Sequence, residues 1–169
     1  MILYHGSNCD VTIPDLKRGR RGLDFGQGFY LTPDMNSARS MARNAARREG
    51  CGRRTINVYE FDEASARNAG LSIRCFSEMN LEWMTFVVAN RIFDRNAADH
   101  NLDNHHDVVC GYIADDRIQA LIRTYCGGMT TVEQILKNLL DRPWRVLQYS
   151  FHTKRALRYL RLKEVWHEC

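Results

Sequence analysis

Asp24-Phe25-Gly26-Gln27-Gly28-Phe29-Tyr30-Leu31-Thr32 is the stretch whose reading decides the fold. Two glycines, each beside an aromatic, run into the short apolar segment Phe29-Tyr30-Leu31, and Thr32-Pro33-Asp34 then opens a helical pattern. Glycine takes positive φ and lets a backbone approach another group closely, so Gly26 and Gly28 mark a loop that hugs something small. A tyrosine in mid-strand sends its ring to one sheet face, and its hydroxyl needs a partner. Taken alone, the same residues read as a turn feeding a core strand.

Downstream, Thr32 reads as a helix N-cap, Pro33 as the first helical residue and Asp34 as a charge that complements the dipole. Ala38, Met41, Ala42, Ala45 and Ala46 give the helix a small-residue face over 36–48, with Arg39, Arg43 and Arg47 on another. Gly50-Cys51-Gly52 ends it. Upstream, Ile2-Leu3-Tyr4 is a short strand running into a polar turn, His5-Gly6-Ser7-Asn8. Residues 9–23 read as loop, with one turn of structure near Ile13–Leu16.

Thr55–Phe61 alternates as a strand does, and Leu71-Ser72-Ile73 reads as a short edge strand. Glu78–Phe93 carries a buried helical stripe (Leu81, Met84, Phe86, Val87, Val88), followed by a polar loop over 94–106. Asp107–Ala114 is a strong strand, and Asp115-Asp116 caps a helix to about Tyr125. Cys126-Gly127-Gly128 breaks that helix, and Thr130 with Glu133 forms a capping box for another to about Leu140, which Pro143 stops. Arg145–Phe151 reads as a strand, Lys154-Arg155-Ala156 as a turn and Leu157–Val165 as the last strand. Strands with interspersed helices, but no regular βαβ alternation, predict an α+β fold.

The 169 residues, 44% hydrophobic and 26% charged, fit one globular domain over 1–169 with a core of its own. No apolar run reaches the roughly 18 residues of a membrane span, and the N-terminus carries no signal-peptide pattern. The expectation is a cytoplasmic protein with no membrane contact. Six widely spaced cysteines without a Cys-x-x-Cys pair argue against a zinc knuckle or redox motif. Reduced thiols are the simplest account. The net charge of +4 lies in the first third: residues 1–60 hold 10 Lys/Arg against 6 Asp/Glu, and the remainder is balanced. Lys17-Arg18-Gly19-Arg20-Arg21 with Arg39, Arg43, Arg47 and Arg48 offers a patch for a nucleic acid or nucleotide phosphates, or a solvated basic face. His100, His105, His106 and Asp107 read as solvated loop residues with poor ligand spacing, and no metal is expected. Asp24-Phe25-Gly26 matches the kinase metal-binding triplet, but no catalytic loop accompanies it and the chain is too short for a kinase.

Three polar side chains stand on or beside apolar strands: His5, Tyr30 and Gln148. On these residues the chain resembles the ADP-ribosyltransferase superfamily, within it the poly(ADP-ribose) polymerase branch. The first motif is similar to Tyr4-His5-Gly6-Ser7, and the second to Phe25-Gly26-Gln27-Gly28-Phe29-Tyr30-Leu31 with a helix from about Ser37-Ala38. The third is similar to Gln148-Tyr149-Ser150-Phe151-His152-Thr153. With Asp107–Asp116 the pattern resembles, more narrowly, a prokaryotic family of that superfamily known as a domain of unknown function. The resemblance spans nearly the whole chain.

It implies a split mixed β-sandwich with flanking helices and a cleft for NAD, used as co-substrate. His5 would bond the adenosine ribose, and Gly6 would hold the nicotinamide carboxamide through its backbone with Ser7 helping. Tyr30 would pack against the nicotinamide end, and Gly28, Phe29, Ser37 and Ser40 would complete the NAD site. The implied chemistry breaks the nicotinamide–ribose bond through an oxocarbenium-like transition state and transfers one ADP-ribose to a macromolecular acceptor. A toxin or effector with a small antitoxin partner is the implied setting. Two positions depart from the family. Gln148 stands where active polymerases carry glutamate, so it can bond the ribose hydroxyl but is neutral and a poor base. Asp115, Asp116 or Glu60 is the candidate acid for the missing charge, and the sequence does not place any of them in the cleft. Ser40 falls near the tyrosine that stacks on nicotinamide. A module that binds NAD or ADP-ribose without turnover, or an RNA-modifying relative similar to tRNA 2′-phosphotransferases using Arg39, Arg43 and Arg47 on phosphates, are the alternatives.

Overall fold

A computed structural model describes residues 1–50, 53–114, 118–140 and 146–168. Its strands are β1 (Ile2–Ser7), β2 (Phe29–Leu31), β3 (Arg54–Phe61), β4 (Ile73–Cys75), β5 (Val108–Tyr112), β6 (Leu147–Phe151) and β7 (Leu160–Glu168). Its α-helices are α1 (Met35–Glu49), α2 (Glu63–Asn68), α3 (Leu81–Ile92), α4 (Ile118–Cys126), α5 (Val132–Leu140) and α6 (Lys154–Leu157). A 3-10 turn, Leu16–Arg18, is capped by the Asp15 side chain. The fold is α+β, as the pattern of elements predicted.

The strands form two sheets: β1-β3-β7, antiparallel throughout, and β2-β6-β5-β4, in which only the β4–β5 pair is parallel. Alternation along each strand sends one set of side chains between the sheets. Leu3, Tyr59 and Phe61 from the first sheet meet Phe29, Leu31, Val108, Cys110, Tyr149 and Phe151 from the second in one buried cluster. The outer faces are covered by helices. α1 lies on the first sheet, its Ala38 and Ala42 against Ile56 and Val58. α3, α4 and α5 lie on the second, with Trp83, Met84, Phe86, Ile122 and Ile135 packed around Val109.

The helix after β2 begins two residues later than Thr32-Pro33 predicts. Asp34 is the N-cap, accepting from the Ser37 amide, while Thr32 is fully buried and donates its hydroxyl to the Leu147 carbonyl at 2.8 Å. A threonine with a strand carbonyl in reach is worth more as a cross-strand tie than as a cap that the next aspartate supplies. β1 runs on to Ser7, so His5, Gly6 and Ser7 are strand residues, not a turn; pairing with β3 as far as Ser7↔Thr55 holds them extended. The cap of α5 is the Thr131/Gln134 pair, one residue beyond Thr130/Glu133. α2 and the one-turn α6, capped by Asp62 and Thr153, replace a mixed segment and a turn. The expectations for Cys51-Gly52, Asp115-Asp116, Pro143 and Arg145 fall outside the described residues. Among the described residues no helix is long and apolar enough to cross a membrane.

Candidate functional site

Among the described residues the two sheets touch edge to edge at a single residue pair. Tyr4 and Thr32 exchange both backbone hydrogen bonds, at 2.8 and 3.0 Å, and then β1 and β2 part. In an antiparallel strand the backbone polar groups point alternately to the two sides. Because Tyr4 faces β2, so do the amide and carbonyl of Gly6, and because Thr32 faces β1, so does the carbonyl of Tyr30. The place where the ladder would continue is taken by a side chain: His5 Nδ1 lies 2.8 Å from the Tyr30 carbonyl oxygen. A carbonyl only accepts, so Nδ1 carries the proton and Nε2 keeps a lone pair. Among the described residues Nε2 has no hydrogen-bond partner. Burial holds the ring's pKa below the usual histidine value, with the Tyr30 carbonyl pulling the other way. The imidazole is therefore neutral, and its ring sits 4.4 Å from that of Phe29. Where β1 and β2 part, His5 thus carries a half-buried acceptor nitrogen and the next residue, Gly6, a strand-edge amide.

Glycine at position 6 is required by the packing of α1. A Cβ on it would lie 2.0 Å from the Ala38 carbonyl oxygen and 2.7 Å from the Ala42 amide, so α1 presses its backbone onto this strand. Gly28 is also enclosed, with the Phe151 carbonyl and the His152 ring below 3 Å from an added Cβ. Ser7 is buried and its hydroxyl meets Cys9. Ser37 lies at the start of α1, and Ser40 is exposed with its hydroxyl on the Asn36 carbonyl.

On the other face of β2 lies a second set of polar groups. The Tyr30 hydroxyl donates to the Gly26 carbonyl at 2.6 Å and accepts from the Phe25 amide at 3.2 Å, so the phenol braces the loop that precedes it. Gly26 has φ +92°, a turn that glycine makes without strain. Burial raises the Tyr30 pKa well above the ordinary phenol value, with the Asp24 charge adding to the effect, so the group stays protonated. Gln148 is only 5% exposed and donates its Nε2 to Asp24 Oδ2 at 3.1 Å. Asp24, 4% exposed, also accepts from the Ala114 amide at 2.9 Å and from Arg91 Nε at 2.7 Å. Burial pushes its carboxyl above the usual range, opposed by the Arg91 guanidinium and by these hydrogen bonds. His152 continues the network: Nδ1 faces the Gln27 carbonyl at 2.9 Å and Nε2 the Ser150 hydroxyl at 2.8 Å.

The structure brings Tyr30 and Gln148 together around Asp24, and joins His5 to Tyr30 only through the backbone. The imidazole and the phenol stand on opposite faces of β2, with Phe29 beside one and the α3 side of the sheet beside the other. Glu60, one of the acids weighed as a stand-in for the missing glutamate, is held by Arg161 and Lys163 at the surface of the first sheet. Asp115 and Asp116 lie outside the described residues. The acid that does touch Gln148 is Asp24, at the head of the glycine loop. Its only sequence signal was a carboxylate immediately before an apolar, glycine-bounded stretch, with Arg91 as partner 67 positions away. Of the arginines on α1, Arg39 is paired with Glu168.

A cavity of about 180 Å³ adjoins the glycine loop, lined by Arg21, Gly26, Gln27, Phe93, Arg95 and Asn101 among others. No curated protein and no solved structure matches the chain. One family model does, over residues 1–162, and its description is Protein of unknown function (DUF3990). With nearly the whole chain aligned to it, the protein belongs to the DUF3990 family.

Proposed function

We propose that the protein is an NAD-dependent ADP-ribosyltransferase of the single-transfer kind, with the notch between β1 and β2 as the nicotinamide end of its site. The observation that carries this reading is the pairing of the unpartnered Nε2 of His5 with the Gly6 backbone edge. A ribose hydroxyl donates to a neutral imidazole nitrogen, and a primary carboxamide satisfies an amide and a carbonyl of one strand residue at once. The transition state of nicotinamide loss is cationic at the ribose, so a nearby negative charge lowers its energy. Asp24, the buried carboxylate at the head of the glycine loop, accepts from the Gln148 amide and orients it, on the face of β2 away from the notch. The acceptor, in this reading, is a macromolecule, and a small antitoxin partner in a cytoplasmic setting belongs to the same proposal.

Purified protein incubated with NAD is expected to release nicotinamide, and His5→Ala to abolish release while the fold is kept. Release undiminished in His5→Ala refutes the notch as the site. A second reading, an NAD- or ADP-ribose-binding module without turnover, is favoured by one observation: Gln148 is neutral, buried and tied to Asp24. Calorimetry with NAD separates the two. Binding in the natural protein without nicotinamide release supports the module.

A further inference from the structure

The loop that links α3 to β5 is built around two fully buried asparagines. Asn90 accepts from the Asn101 amide at 2.9 Å, and Asn101 in turn accepts from the His106 amide at 2.9 Å and donates to the His106 carbonyl at 3.2 Å. These bonds fix the backbone at His106 and bring His105 and His106 close, with ring centroids 3.8 Å apart. Their Nε2 atoms lie 4.0 and 3.3 Å from the same oxygen, Asp99 Oδ1. One donor atom from each of the three residues lies within 4.8 Å of the other two.

The remaining atoms of these side chains are held by polar neighbours. His105 Nδ1 meets Asp103 at 2.8 Å, His106 Nδ1 meets the Ser72 hydroxyl at 3.0 Å, and Asp99 Oδ2 faces Arg74 at 3.4 Å. Such outer contacts fix the tautomer and aim of metal-binding imidazoles. Metal–ligand bonds of about 2.0–2.1 Å place tetrahedral donors roughly 3.3 Å apart; the His106–Asp99 pair already has that spacing, and His105 Nε2, at 4.0 Å, must swing inward by about 0.7 Å. Asp107, grouped with the histidines on sequence grounds, is not part of the cluster: it is buried and bound to the Ser72 amide, Thr153 and Arg155. His100 stands apart from this cluster: its nitrogens meet the Leu102 amide and the Arg95 carbonyl, and it groups instead with Asp103 and His105 on the more exposed side, its Nδ1 3.9 Å from Asp103.

We propose that Asp99, His105 and His106 form a divalent transition-metal site of the zinc class, with a fourth position open to water or an exogenous ligand. Two imidazoles and one carboxylate select zinc, cobalt, nickel or copper over magnesium and calcium. The site lies on the loop that also supplies Asn101 to the cavity beside Gly26. A bound ion therefore ties the wall of that cavity to β4 through Ser72 and Arg74. The inference is independent of the transferase reading.

The test is Co²⁺ titration of the reduced, full-length protein, followed by visible absorption and by equilibrium dialysis against Zn²⁺. The expected result is one equivalent bound, with a spectrum lacking the near-ultraviolet thiolate band that cysteine ligands would give. His105→Ala, whose side chain is half exposed, should weaken binding at least ten-fold, as should Asp99→Asn, with circular dichroism unchanged. His100→Ala should leave it unaltered. No stoichiometric binding, a thiolate band, or binding that survives both the His105 and Asp99 substitutions overturns the proposal.

Discussion

Gly6→Ala tests the packing that creates the notch. The added Cβ would sit 2.0 Å from the Ala38 carbonyl oxygen and 2.7 Å from the Ala42 amide, and both belong to the backbone of α1. Neither can rotate away, so the helix must retreat from β1 by more than about 1 Å to restore van der Waals separation. Ala38 and Ala42 would then lose contact with Ile56 and Val58, the fully or almost fully buried residues under them. Overpacking of this kind costs about 1–3 kcal/mol, and backbone against backbone places it at the upper end. For a chain of this size each kcal/mol lowers Tm by about 2–4 °C, so the expected drop is about 4–12 °C. Thermal unfolding followed by circular dichroism measures it, with Arg43→Ala on the exposed side of α1 as a control expected within about 0.5 kcal/mol. A Gly6→Ala protein that melts within 1 °C of the natural one would refute the close approach of α1, and with it the physical reason for glycine at this strand edge.

Burial pushes the His152 imidazole down to about 4, so folding disfavours its protonation, and the stability it contributes is complete above the unfolded value near 6.5. That contribution, about 3 kcal/mol by linkage, is lost as pH falls from 6.5 towards 4. Chemical denaturation across this range should show the decline, and His152→Gln should flatten it; an unchanged slope in the variant would count against the assignment. Gln148→Glu sets a second carboxyl beside Asp24, where two charges about 3 Å apart cannot both ionise. The introduced acid is thus raised above its unfolded value near 4.3, and the variant should match the natural protein best at low pH and lose about 3–4 kcal/mol relative to it towards pH 7. A Tm difference independent of pH would remove Asp24 from the neighbourhood. Tyr30→Phe leaves the Phe25 amide and Gly26 carbonyl without their partner, at a cost of about 1–3 kcal/mol. Amide hydrogen exchange at Phe25 should speed up while exchange in β3 keeps its rank; equal protection in both proteins would show that the phenol does not brace the loop.

The local chemistry of the chain was legible in its residues. Alternation gave β3 and β5, the apolar stripe gave α3, and the glycines with Phe29-Tyr30-Leu31 gave a loop entering a strand. These features depend on neighbours within a few positions, where side-chain period and backbone sterics act. Boundaries slipped where a distant group competed for a capping residue, as the Leu147 carbonyl does for Thr32. Tertiary structure alone decided how the polar residues are grouped. Asp24 joins Arg91, Ala114 and Gln148, and Asp99 joins His105 and His106, because a buried charge or donor must find a partner wherever the packed layers place one. His5 and Tyr30 were separated for an equally nonlocal reason: β1 and β2 meet at one residue pair and then part, so an imidazole takes the place of the next rung, while the phenol turns to the other face of its sheet. A periodicity can say which residues face inward, but it carries no record of which strand edges will touch.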